Sequence, residues 1–180
     1  MRVALAAFDV GELTKALRAA SAAKDAAPRS PSVREALGLI YQALGSHKEA
    51  LAELLAARRM SGSPYQLAAI AECYVELGRP ERALEELAGT DRSVLTPGLW
   101  ADAQIVRAKA HEARGNIDAA VGVLRNADEW PPAPQSHDAR IRYALADLLT
   151  RTGQREEGRR LFARLAVWDR DYRDVLERAR

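Results

Sequence analysis

One glycine recurs along this chain at a nearly constant interval, and that interval constrains the fold more than any other feature. Gly11, Gly45, Gly78, Gly115 and Gly153 follow one another at spacings of 34, 33, 37 and 38 residues. A fixed period of about 20–50 residues is the signature of stacked structural repeats. Apolar residues at helical spacing flank each glycine, so each one predicts a turn between two antiparallel helices.

The stretch from Ser30 to Pro64 shows the repeating unit most clearly. It reads SPSVREALGLIYQALGSHKEALAELLAARRMSGSP, with one apolar stripe of helical period on each side of Gly45. Gly38 and Ala50 are small, which predicts that the two helices approach closely there. A hairpin of this size cannot bury its own apolar side, so copies of it must stack on one another.

The order of residues in this stretch resembles a known repeat. Leu37-Gly38, Tyr41, Leu44-Gly45, Ala50, Leu54 and Ala57 follow the pattern L-G-x-x-Y, L-G, A-x-x-x-L, A. This pattern resembles the tetratricopeptide repeat (TPR), a helix-turn-helix unit of about 34 residues. At a finer level the chain resembles a bacterial TPR group of unassigned function. The resemblance implies an all-α fold, a right-handed α-solenoid of TPR repeats with a C-terminal capping helix.

The glycine period divides the chain into five repeats within one predicted domain, residues 1–180. The repeats span about 1–29, 30–63, 64–96, 97–135 and 136–168, and residues 169–180 are predicted to form the capping helix with Val175, Leu176 and Ala179 facing inward. The first repeat lacks part of its first helix, so either the protein starts with a clipped repeat or the sequence is a fragment of a longer one. Gly158 stands where the four earlier repeats carry Ala.

Composition limits the classes of function. Lysine and arginine number 27 against 25 acidic residues, a balance that disfavours nucleic-acid binding through overall charge. The single Cys73 excludes an internal disulfide and a cysteine-based zinc site. The start of the chain lacks the features of a signal peptide, and no apolar stretch approaches 18 residues. We therefore expect a cytoplasmic protein.

Catalytic motifs are absent from the sequence. It contains neither HExxH nor a glycine-rich phosphate loop, and no two histidines have the spacing of a helical metal site. His111 occupies the aromatic position of its repeat and is predicted to pack in the core, whereas His47 is predicted to be solvated. Cys73 is predicted to be an inert, partly buried thiol. Trp100, Trp130 and Trp168 are predicted to seal neighbouring repeats. The sequence predicts no enzyme, cofactor or metal.

The resemblance also indicates where a partner would bind. In TPR proteins the first helix of each repeat lines a concave groove, and its inner side contacts the ligand. The predicted groove residues here are Glu35, Leu39, Gln42, Tyr65, Glu72, Val75, Glu76, Asp102, Ile105, Lys109, Glu112 and Tyr143. TPR domains that clamp an acidic C-terminus use basic residues at such positions. This groove carries acids instead, which disfavours that ligand.

Two functions remain open beside the disfavoured enzyme. The first is a non-catalytic scaffold that binds a peptide or helix, with a basic and amphipathic segment as the candidate ligand, because the predicted groove acids are opposed mainly by Lys109. The alternative is nucleic-acid binding through an Arg-rich outer and C-terminal surface, formed by Arg155, Arg159, Arg160, Arg164 and Arg173. Interleaved acids weaken this alternative. The groove acids could equally be solvating an ordinary surface.

Overall fold

Every regular element of the protein is helical. The structure is a computed structural model that describes the whole chain, Met1–Arg180, and it contains no β-strand. A short 3-10 turn lies at Pro64–Gln66. The α-helices are α1 Arg2–Asp9, α2 Leu13–Ala26, α3 Pro31–Ala43, α4 His47–Ser61, α5 Leu67–Glu76, α6 Pro80–Glu86, α7 Pro97–Ala113, α8 Ile117–Ala127, α9 Ser136–Arg151, α10 Arg155–Trp168 and α11 Val175–Arg178. The predicted all-α fold class is confirmed.

Five helical hairpins follow one another, and the recurring glycine forms the turn of each. The five glycines all adopt positive φ, between 69° and 96°. At the turn between α3 and α4, the N–H of Gly45 donates to the carbonyl of Gln42 at 3.0 Å and that of Ser46 to the carbonyl of Tyr41 at 2.9 Å. This pair of bonds is the Schellman motif, which favours glycine because the residue takes a left-handed conformation.

Small side chains set the distance between the two helices of a hairpin. Ala50, Ala83 and Ala120 are fully buried, as the repeat pattern predicts. Across from Ala50, a Cβ placed on Gly38 would lie only 2.6 Å from Cγ of Leu54. The predicted close approach of α3 and α4 is therefore confirmed, and Gly38 is the residue that makes room for Leu54.

The last hairpin makes an even closer approach at Gly158. A Cβ on this residue would lie 2.7 Å from the carbonyl oxygen of Ala146 and would also meet the hydroxyl of Thr150. That hydroxyl donates a hydrogen bond of 2.7 Å to the same carbonyl. Helix α10 therefore packs directly on the backbone of α9, which explains why glycine replaces the alanine of the other repeats.

The chain consists of two compact units, Met1–Ala88 and Gly89–Arg180. Unit 1 contains α1–α6 and buries Leu37, Ile40, Leu54 and Ile70; its three hairpins each contribute to the core. Unit 2 contains α7–α11, and its core includes Leu145, Phe162 and Leu165. The extent of the single predicted domain, residues 1–180, stays a prediction.

An ion-pair cluster in unit 1 is not indicated by the sequence pattern. Glu53, on α4, is only 8% exposed. One of its carboxylate oxygens accepts a hydrogen bond from Arg34 of α3 at 2.8 Å, and the other accepts one from Lys24 of α2. The buried carboxylate thus has two basic partners from two other helices, which compensates for its removal from water.

The C-terminal segment differs from the predicted capping helix. Only Val175–Arg178 is helical, and Leu176 is 41% exposed instead of facing inward, while Val175 is fully buried. The segment before α11 forms turns, because Asp169 accepts a hydrogen bond of 2.9 Å from the backbone N–H of Asp171. Such side-chain-to-backbone bonds compete with helix formation. Arg173 takes a positive φ of 52°, which also interrupts the helix.

Aromatic residues join the two hairpins of unit 2. The rings of Trp130, after α8, and Trp168, at the end of α10, meet edge to face at 6.1 Å. The indole N–H of Trp168 donates to the carbonyl of Pro134 at 3.2 Å. The guanidinium of Arg142 lies 3.9 Å from the centre of the Trp130 ring and pairs with Asp128 at 3.0 Å. The predicted sealing role is confirmed for these two tryptophans.

Candidate functional site

A recess of about 340 Å³ lies in unit 1 between α1, α3, the start of α4, and α5. Its lining is mainly apolar, with two carboxylates at one side. The lining residues are Phe8, Leu39, Gln42, Ala43, His47, Glu72 and Glu76. Four of them, Leu39, Gln42, Glu72 and Glu76, are groove residues that the repeat pattern predicts. The structure brings these four together, whereas the pattern does not indicate Phe8, Ala43 and His47 as part of the site.

Helical periodicity explains why these side chains share one surface. Leu39, Gln42 and Ala43 lie at i, i+3 and i+4 on α3, on the side away from the buried residues of that helix. Glu72 and Glu76 are four residues apart on α5 and therefore lie on one side of it. The site is built from two consecutive first helices, each of which turns its apolar stripe to the core.

Polar contacts order one side of the recess. The side-chain amide of Gln42 donates to Glu72 at 2.7 Å, which links α3 to α5. Glu76 is exposed and forms no ion pair. Leu39 is 38% exposed, so an apolar surface remains accessible beside the carboxylates.

Cys73 lies on α5 between the two recess carboxylates in sequence but faces the core, where it is fully buried. Burial, reinforced by the negative charge of Glu72, raises the pKa of its thiol to about 11. The thiol is therefore protonated at neutral pH and does not act as a nucleophile. The burial is complete, not partial as the sequence predicted, and the raised pKa agrees with the predicted inert thiol.

The other predicted groove residues of unit 1 lie outside the recess lining. Tyr65 belongs to the 3-10 turn that precedes α5 and is 58% exposed. The first helix of this repeat therefore begins at Leu67, three residues later than the predicted repeat boundary. Glu35 and Val75 are half-buried on α3 and α5, and Glu35 forms no ion pair.

In unit 2 the predicted groove acids are neutralised by arginines. Asp102 of α7 pairs with Arg140 of α9 at 3.1 Å. Glu112 of α7 accepts hydrogen bonds from Arg151 of α9, one of them at 3.2 Å. The sequence pattern does not indicate these two arginines of α9 as partners of the groove acids, and the opposing role of Lys109 stays a prediction. Ile105, also predicted for the groove, is partly buried against the core.

Tyr143 contacts the C-terminal segment of the chain. Its hydroxyl donates to Asp174 at 2.6 Å, and the guanidinium of Arg173 lies 4.5 Å from its ring centre. Partial burial, reinforced by the hydrogen bond to Asp174, raises the pKa of the tyrosine hydroxyl. On the same helix, Asp147 pairs with Arg178 at 2.7 Å. The tail therefore packs on this part of α9.

The environments of His47 and His111 differ from those that the sequence predicts. His47 is half-buried at the recess, and its Nδ1 is buried without a hydrogen-bond partner, so the prediction of a solvated residue is wrong. His111 is also half-buried with a buried, unpartnered Nδ1. Burial, followed by the positive charges of Arg114 and Arg107, lowers the pKa of His111 below its usual value of 6.5.

The arginines of α10 are interleaved with acids that pair with basic side chains. Glu156 pairs with Arg160 one turn along the same helix, and Glu157 pairs with Arg125 of α8 at 2.9 Å. Both pairs are exposed, so each has a small energetic effect. Nucleic-acid binding through this surface stays an untested prediction.

No group of three or more His, Cys, Asp or Glu residues is placed to hold a metal ion. No helix combines the length and apolar composition needed to cross a bilayer.

Comparisons with known proteins agree with this architecture. Residues 111–178 match the model of a tetratricopeptide repeat family. TTC0263, a TPR protein of Thermus thermophilus, superposes with a TM-score of 0.80 over 99% of this chain and 94% of its own, at 21% identity. The chain has the tetratricopeptide repeat fold. The resemblance recognised from the Ser30–Pro64 stretch is thereby confirmed.

Two further TPR structures are similar. The TPR-like repeats of a putative kinesin light chain from Podospora anserina give a TM-score of 0.65 at 21% identity, with 92% of this chain and 91% of that chain covered. YrrB, described as a TPR protein with an unusual peptide-binding site, gives 0.57 at 18% identity, with 97% and 87% covered. No curated protein matches the sequence. The TPR fold is typical of protein–protein interaction scaffolds, which are generally non-catalytic.

Proposed function

We propose that this protein is a non-catalytic interaction scaffold that binds a peptide or helical segment of a partner protein at the recess of unit 1. The observation that carries the proposal is the convergence of Leu39, Gln42, Glu72 and Glu76 from two consecutive first helices on one recess. Partners that dock on helical surfaces insert side chains between helices, and specificity comes from polar groups beside an apolar floor.

The TPR fold supports the proposed class of ligand. YrrB, which shares the fold, is described as having a peptide-binding site, and that description concerns YrrB itself. In the present chain, exposed Leu39 provides an apolar surface and Glu76 an unpaired charge, two features that an interaction surface combines. Cys73 is buried beneath the surface, so the recess does not expose its thiol.

Affinity capture with a charge-reversal control tests the proposal. The bait proteins are the wild type, the double variant Glu72→Lys/Glu76→Lys, and the control variant Glu49→Lys on the exposed surface of α4. We expect wild type and control to retain the same partner and the double variant to lose it. Salt should slow association, because exposed charges are screened over about 8–10 Å at physiological ionic strength.

A partner retained equally by all three baits would show that it binds elsewhere, and the recess would not be the interaction site. The three proteins are first compared by circular dichroism. Glu76 is exposed, so its replacement leaves the core unchanged, and any loss of helix would trace to the change at Glu72. The single variant Glu76→Lys then serves as the test.

A further inference from the structure

We propose that the unit 1 recess holds a basic side chain, lysine or arginine, carried by the partner segment. This inference rests on the proposed interaction function and adds the chemistry of the anchoring residue. The aliphatic stem would lie on Leu39, Ala43 and Phe8, and the charged end would lie at the carboxylates of Glu72 and Glu76. Long basic side chains bind in this way because their stems bury apolar area while the charge stays near water or a carboxylate.

The lining of the recess matches both ends of such a side chain. Phe8 and Leu39 are apolar residues of the lining that remain partly accessible. Glu72 and Glu76 follow one another after one helical turn, so two carboxylates lie along the same edge. Gln42 orients the carboxylate of Glu72 through its hydrogen bond of 2.7 Å.

Acidic residues on the first helices of unit 2 provide a comparison with those at the recess. Asp102, Glu112 and Asp147 stand on the first helices α7 and α9, and each pairs with an arginine of unit 2. These arginines come from α9 and from the C-terminal segment. These three acids are thus neutralised within unit 2.

Two acids on the first helices of unit 1 contrast with this arrangement. Glu76 and Glu35 form no ion pair, and Glu76 is exposed at the edge of an accessible apolar surface. The charge of Glu76 is therefore left without an ion pair at the place where the apolar surface is accessible. A basic residue with a long aliphatic stem is complementary to both properties, whereas an acidic or purely aliphatic residue matches at most one of them.

Selection of random peptides identifies the anchoring residue without knowledge of the natural partner. A phage-displayed library of random peptides is selected on four immobilised full-length proteins: wild type, Glu72→Gln/Glu76→Gln, Leu39→Asn, and the control Glu49→Gln. We expect lysine and arginine to be enriched at one position next to an aliphatic residue for wild type and Glu49→Gln. The enrichment should disappear for the carboxylate variant and the peptides should be lost with Leu39→Asn.

A synthetic peptide from the selection measures the charge directly. Replacing its enriched arginine by citrulline keeps the shape and removes the charge. For an enriched lysine, norleucine keeps the aliphatic stem and removes the charged amino group. We expect binding to weaken about five-fold, the effect of an exposed ion pair at the upper end of the usual range. Unchanged affinity would overturn the inference.

The outcomes separate this inference from the function on which it rests. Selected peptides that depend on Leu39 but contain no enriched basic residue would overturn the basic anchor and leave the interaction site standing. Selected peptides that bind all four proteins equally, or no selected peptides at all, would overturn the recess as a peptide-binding site and the basic anchor with it.

Discussion

Replacing Gly158 by alanine tests the close contact between α9 and α10. The structure and the repeat pattern predict opposite effects of this change on stability. The four other hairpins carry Ala at this position, so a sequence comparison predicts that alanine stabilises the helix. The structure predicts the opposite. The added Cβ would lie 2.7 Å from the carbonyl oxygen of Ala146, about 0.7 Å closer than an ordinary contact of 3.4 Å.

The magnitude follows from two opposing terms. Overpacking a tight contact costs roughly 1–3 kcal/mol, and the upper half of this range applies here because the obstacle is backbone. Alanine in place of glycine in a helix recovers about 1 kcal/mol. We therefore expect Gly158→Ala to lower the free energy of unfolding by about 1–2 kcal/mol, the difference between these two terms.

Gly122 provides a matched control, because it also lies inside a helix but has no atom within 4 Å of a Cβ. Gly122→Ala should raise the free energy of unfolding by about 0.5–1 kcal/mol. Urea denaturation followed by circular dichroism compares the two variants with wild type. Adding Thr150→Ala to Gly158→Ala should recover part of the loss, since the threonine hydroxyl is the second obstacle. If Gly158→Ala proves as stable as wild type, the deduced contact is wrong.

Three further predictions use the same denaturation assay. Leu54→Ala should lower the free energy of unfolding by roughly 2–5 kcal/mol because it leaves a cavity. Ala83→Leu should lower it by roughly 1–3 kcal/mol because it overpacks the contact between paired helices. No loss of stability in either variant would contradict these helix contacts. Arg142→Met should cost about 3–5 kcal/mol, because it leaves Asp128 buried without its partner, and equal stability would show that this pair is solvated. Burial lowers the pKa of His111, so the unfolded chain takes up a proton at a higher pH than the folded chain does. The free energy of unfolding should therefore fall as the pH drops from about 7.5 to about 5.5. His111→Tyr should show a smaller fall, and an equal fall would exclude His111 as the cause of the pH dependence.

The sequence predicted the hairpins and half of the candidate site because these features depend on short-range geometry. The turn at Gly45 is formed by backbone bonds that span only three and five residues, donated by Gly45 and Ser46, so the period of the glycine along the chain was sufficient evidence. The resemblance to TPR proteins indicated the inner sides of α3 and α5, and the recess contains Leu39 and Glu72 from these two helices. Local rules also placed Ala50 at a close helix contact.

The tertiary structure decided which charges remain unbalanced. Asp102 is neutralised by Arg140, 38 residues away in sequence, and no local pattern predicts a contact at that separation. Of the predicted groove acids, Glu35 and Glu76 are the ones that form no ion pair. Packing also determined that His47 faces the recess and that Gly158 must stay glycine. Each of these depends on atoms from a different helix, and their distances are set only when the helices pack.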